Sequence, residues 1–217
     1  MTALDLWEAA IIPSLLNNAE SWMEVDKEAI QLLDELQYMF LRLVLRAPST
    51  TPKLALIWET ASIPMAHRIM RKKLLFINHI KHQENSCLSK QILNEQIRLE
   101  LPGLAKECQE MCTNLGISNI VKKEVPIKEW KSTVKKASKK NVEEELKEKM
   151  APLSKVEHMS EEPFELKDYM KDKVIEDART MFLIRSHMID VKFNFKHDGR
   201  YSRELWSCEG CHRTVET

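Results

Sequence analysis

Between Asp26 and the stretch APSTTP, the apolar residues Ile30, Leu33, Leu36, Phe40, Leu43 and Val44 recur every three or four positions. That spacing puts them on one side of a helix. Asp26 stands where its carboxylate can cap the first turn, so the pattern predicts one long helix over residues 26–46. The same rhythm returns in PKLALIWET and in SIPMAHRIMRKKLLFINHIKH. Both carry a proline at the start, where a missing N–H costs nothing. The helix over 64–82 is expected to pack against the one over 26–46. Upstream, Leu4, Trp7, Ile11, Ile12, Leu15 and Leu16 mark another apolar face, which Pro13 should bend or divide.

Further along, Ser86 is placed to cap a helix over CLSKQILNEQIRLEL, and the next helix runs from Pro102 to a stop at Gly116. From Pro126 a long charged helix carries a narrow apolar stripe through Ile127, Trp130, Val134, Ala137, Val142, Leu146 and Met150. The polar stretch APLSKVEHMSEEP, bracketed by Pro152 and Pro163, reads as a linker. Beyond it come two helices, in ELKDYMKD and VIEDARTMFLIRSHMI. Then the pattern shifts to alternation at Val191, Phe193 and Phe195 before Asp198-Gly199, a short strand and turn. The expected fold is all-α, a multi-helix array with a small irregular or β tail at the C-terminal end. Three regions are expected, over residues 1–83, 84–155 and 156–217.

Composition supports helices: only four of the 217 residues are Gly, too few for glycine-rich phosphate loops or strongly twisted sheets. Five Cys at irregular spacing do not form a disulfide framework. With no basic leader and no apolar run of about 18 residues, the sequence predicts a soluble intracellular protein of cytoplasm or nucleus, with no membrane partner. Paired catalytic carboxylates, a nucleophile elbow and a phosphate-binding glycine loop are all missing from the sequence. The expectation is that the chain is not an enzyme.

Lys plus Arg equals Asp plus Glu at 33 each, yet the charge is unevenly distributed. Residues 1–41 hold eight acids and one Lys, whereas residues 42–82 hold eight Lys or Arg and one Glu. In the second segment Arg68, Arg71 and Lys72 share a helical side, with Lys73 beside them, and Arg42 and Arg46 end the preceding helix. These six residues are the expected nucleic-acid-binding set, a track for phosphates of RNA or an RNA/DNA duplex. A second cluster, Lys122, Lys123, Lys128, Lys131, Lys135, Lys136, Lys139 and Lys140, reads as a solvated face with intrahelical pairs such as Lys139 to Glu143, and should contribute less. The alternative is a helical protein-protein interaction module whose charged helices meet a protein partner and which has no nucleic-acid role.

The chain ends in ELWSCEGCHRTVET. Cys208 and Cys211 have the spacing that opens a zinc site, with Gly210 easing the turn, but zinc wants four ligands. Cys87, Cys108 and Cys112 lie far upstream on predicted helices, and Cys108 and Cys112 read as buried free thiols. The expected site is incomplete, with no cofactor beyond weakly held zinc.

The ordered segments IIPSLLNNAESW, LDELQYMFLRLVLRAPSTTPKLALIWETASIPMAHRIMRKKLLFINHI and LWSCEGC resemble the region downstream of the polymerase active site in reverse transcriptases of non-LTR retrotransposons. Pro13, Ala19, Glu20 and Trp22 match the entry to the thumb. Leu41, Arg42, Pro48, Ser49, Thr50 and Pro52 match the following element, and Cys208 and Cys211 match the opening of a zinc knuckle. The resemblance implies a thumb-like region over 1–83, a charged helical linker region and a truncated Cys/His knuckle. Polymerisation in that family needs a pair of adjacent Asp residues for its metal ions, and none occurs here. It therefore implies a non-catalytic remnant or fragment of such a polymerase, binding template and primer through phosphates.

Overall fold

A computed structural model describes residues 3–22, 26–121, 123–153, 156–171 and 175–188. Among them every regular element is helical, so the fold is all-α. The expected strand near residue 190 and both Cys208 and Cys211 lie outside the described residues. The chain forms two compact units, residues 1–39 with 63–148 and residues 40–62 with 149–217. Neither is a single stretch of chain.

The first unit opens with α1 (Ala3–Leu6), a π-helical turn (Trp7–Ile11) and α2 (Ile12–Leu15). Pro13 divides the segment as its chemistry requires: it has no N–H to give the preceding turn, and the N–H of Ile12 reaches back to the carbonyl of Trp7, one residue further than in an α-helix. Helix α3 (Lys27–Leu45) begins one residue after Asp26, whose carboxylate accepts from the N–H of Glu28 at 3.3 Å. From α3, Asp34 Oδ1 accepts the N–H of Met65 at 2.9 Å, and Gln37 donates to the carbonyl of Ile63 at 3.2 Å. These bonds tie α3 to the start of α5 (Met65–Lys81), which follows α4 (Lys53–Glu59) in sequence.

Helix α5 is the hub of this unit. Its Leu74, Ile77 and Ile80 share a core with Leu93 of α6 (Leu88–Arg98), with Ala105, Cys108 and Cys112 of α7 (Leu104–Asn114), and with Trp130 and Val134 of α8 (Ile127–Met150). Helix α7 ends at Gly116, whose φ of +62° favours a residue without Cβ; the N–H of Ile117 then bonds the carbonyl of Cys112 at 3.0 Å. Cys87, not Ser86, stands at the cap position of α6, because the Ser86 hydroxyl turns to Glu84 at 3.2 Å.

In the second unit the rings of Trp58 on α4 and Phe164 meet at 5.3 Å between centroids. The stretch read as a linker is part of this core: it forms a 3-10 turn at Glu157–Glu161, and Val156 and Met159 have no exposed surface. Two apolar side chains in a polar stretch are enough to anchor it, while its described polar residues stay at the surface. ELKDYMKD yields only a 3-10 turn, Asp168–Met170, before α9 (Ile175–Arg185).

Candidate polyanion interface

The six cations of the expected track occupy three surroundings. Arg68 donates to both oxygens of Glu8 at 2.6 and 2.8 Å and to the carbonyl of Ile63 at 2.8 Å. Lys72 reaches the carbonyl of Leu16 at 2.7 Å and Glu20 at 3.3 Å. Lys73 is buried and bonds Glu107 at 2.5 Å. Arg68 and Lys72, four residues apart, share a helical face and both meet the N-terminal segment, whereas Lys73, a single step on, leaves that face for Glu107 of α7. Arg42 donates to the carbonyl of Thr51 at 3.3 Å, and Arg46 pairs with Glu176 at 2.5 Å. Each spends charge or donors within the chain.

Arg71 differs from the other five. Its Nε is buried and has no hydrogen-bond acceptor. Burial holds its guanidinium below the ordinary arginine pKa, the neighbouring Arg68 adds to that shift, and Glu8 opposes it. It is a half-buried cation, and Glu8, the acid whose charge acts on it, is bonded to Arg68.

Helix α8 supplies the other cations. Trp130, Val134, Ser138, Val142, Leu146 and Met150 are buried, one every four residues, so the buried stripe turns around the helix by about 40° per step. Lys128, Lys131, Lys135, Lys136 and Lys139 stay exposed. Within this group, Lys128, Lys131, Lys135 and Lys139 follow one another at spacings of three or four and share a face about 16 Å long. None of them forms an ion pair with the described residues. The expected Lys139–Glu143 pair does not form: Glu143 bonds Lys147 at 2.8 Å, and Lys140 lies 3.6 Å from Glu144. Glu-rich α8 thus neutralises its C-terminal half and leaves the N-terminal half positive.

The chain matches no family model, curated protein or solved structure. Its interpretation therefore rests on its own residues. Among the described residues no group of three or more His, Cys, Asp or Glu is placed to hold a metal ion, and no helix is long and apolar enough to cross a membrane. Cys108 and Cys112 are buried, and burial pushes the thiols of both upward, which disfavours the thiolate a metal would need.

Sequence reasoning missed the densest polar cluster of the second unit. Buried Glu59 accepts from Arg185 and from the hydroxyl of Tyr169, and Arg185 also bonds Glu162 at 2.8 Å. The single signal was Glu59 itself, the one acid in a segment with eight cations. Its charge is balanced within the cluster, which gives it a structural role.

Proposed function

We propose that this protein binds RNA or an RNA/DNA duplex without sequence preference, through phosphates, using the N-terminal half of α8. The observation that carries the reading is the row Lys128, Lys131, Lys135 and Lys139, exposed on one face and forming no ion pair with the described residues. Ammonium groups free of internal partners gain most from phosphate, because binding releases counterions without breaking an existing pair. The cations of α5 that hold Glu8, Glu20 and Glu107 would have to give up those bonds first. We assign no catalytic step. A remnant of a non-LTR reverse transcriptase accords with this role, on the strength of the residues in IIPSLLNNAESW and LRAPSTTP that resemble that family.

The test is the salt dependence of binding to a labelled short RNA/DNA duplex. For the wild type, log affinity should fall linearly with log salt, with a slope near 0.9 per phosphate neutralised on a duplex. Replacing Lys128, Lys131, Lys135 and Lys139 by Ala should flatten that slope by roughly three to four. An unchanged slope refutes the assignment of α8.

A second reading, a protein-interaction module, is favoured by one observation. Leu88 and Ile92 on α6 and Leu99 at its C-terminal cap are 68, 50 and 50% exposed and share a face. Duplex binding that survives Leu88→Glu and Ile92→Glu, and disappears with the lysine variant, separates the two.

A further inference from the structure

A cavity of about 620 Å³ opens in the first unit, lined by residues of α3, α5 and α7. That volume lies within the range of small-molecule sites, roughly 300–1,000 Å³. Its apolar wall is supplied by Ile30 of α3, Ile69 and Met70 of α5 and Met111 of α7. Ile69 is buried and the other three are half-buried. Against this wall stands one pair of opposite charges that also lines the cavity: Lys73, its side chain 4% exposed, and Glu107, 23% exposed, bonded at 2.5 Å.

The pair is complete in charge and incomplete in hydrogen bonds. An ammonium carries three N–H donors, and among the described residues that of Lys73 gives only one, to Glu107 Oε2. The second carboxylate oxygen, Oε1, accepts no hydrogen bond among the described residues and keeps accessible surface. A buried donor without an acceptor is costly. What the pair lacks is an acceptor for Lys73 and, beside it, a donor for Glu107.

Charge narrows the ligand further. Lys106 and Glu110, exposed residues that line the same cavity, are also one of each sign, so two lysines and two glutamates sum to zero. A net-charged ligand would leave one member of the largely buried pair uncompensated. The wall adds shape, because methionine sulfur packs favourably against aromatic rings, and α5 and α7 each contribute one methionine.

We propose that this cavity binds a neutral aminopurine base such as adenine. The exocyclic amine donates to Glu107 Oε1, the adjacent ring nitrogen accepts from Lys73, and the ring lies against Met70 and Met111. The site uses none of the α8 lysines and does not depend on the phosphate-binding reading.

The test titrates the full chain with adenine, purine and benzoate while following the methyl resonances of Met70 and Met111, assigned with Met70→Leu and Met111→Leu. Adenine should bind with a dissociation constant on the order of 0.1–1 mM and shift both resonances. Purine, which lacks the amine, should bind about tenfold more weakly, and benzoate more weakly still. In Glu107→Gln the charge of Lys73 loses its counterpart, so the order should invert and put benzoate ahead of adenine. Lys73→Met combined with Glu107→Leu replaces the pair by apolar side chains and should weaken adenine binding at least tenfold.

Adenine that fails to saturate the wild type, or leaves both methyl groups unmoved, overturns the proposal. So does equal affinity in the double variant, or a ligand order in Glu107→Gln that matches the wild type. If either variant unfolds, the ligand order in the wild type and the two methyl shifts decide. Adenine binding that disappears when the α8 lysines are replaced would put the base on α8 and overturn the assignment to the cavity.

Discussion

Arg185 embraces the carboxylate of Glu59, 126 positions away in sequence, through Nε and Nη2 at 2.9 to 3.1 Å, and the Glu59 side chain has no exposed surface. A pair of this kind adds little net stability over a well-packed apolar pair, but loss of one partner strands a buried charge. Arg185→Ala should therefore destabilise the second unit by about 3–5 kcal/mol. The double variant Glu59→Gln with Arg185→Met should lose less than Arg185→Ala alone. Native-state hydrogen exchange of the α4 amides reads this unit by itself, and equal protection in Arg185→Ala and wild type would refute the account.

The same cluster makes stability depend on alkaline pH. Burial, then the hydrogen bond to Glu59 and its charge, push the phenol of Tyr169 above its ordinary value of 10.0. Because the folded value is the higher one, this contribution is complete below pH about 10, where tyrosine is neutral in both states, and is lost as pH rises further and only the unfolded chain ionises. Urea midpoints between pH 8 and 11 should fall more steeply for the wild type than for Tyr169→Phe. Parallel curves would show that the phenol does not titrate differently on folding.

Thiol reactivity should divide the cysteines. The thiol of Cys87 is lowered by its hydrogen bond with the Ser89 side chain and then by the Ser89 N–H, whereas burial raises that of Cys108 and Cys112. In a variant with Cys208→Ser and Cys211→Ser, an aromatic disulfide reagent should titrate Cys87 in the native protein and the other two only after denaturation. Native-state reaction of all three at similar rates would contradict the packing of α7.

Gly103 precedes α7 with φ of +151°, and a Cβ there would lie 2.8 Å from Gln96 Nε2. Gly103→Ala should cost about 1–3 kcal/mol, chiefly as backbone strain. Adding Gln96→Ala frees the space and leaves φ unchanged, so it should recover only a small part of the loss in urea unfolding. Full recovery would make the cause steric.

The sequence by itself determined most of the helices, though ELKDYMKD gives only a 3-10 turn. The apolar spacing over residues 26–46 gives α3 nearly to the residue, Asp26 starts it, Gly116 stops α7, and Pro13 breaks the first helix, because each of these is a local effect of neighbours within one or two turns. It also showed where cations crowd along the chain. Only the tertiary structure decided which of them are free. Glu8 lies 60 positions from Arg68, Glu20 lies 52 from Lys72 and Glu107 lies 34 from Lys73, so no local period reveals that these acids reach α5, while acids nearer to the α8 lysines turn elsewhere. Packing likewise drew Val156 and Met159 into a core from a stretch that composition reads as a linker. Helix formation is settled by contacts a few residues apart, but the balance of charge on a surface depends on which distant segments the core brings together.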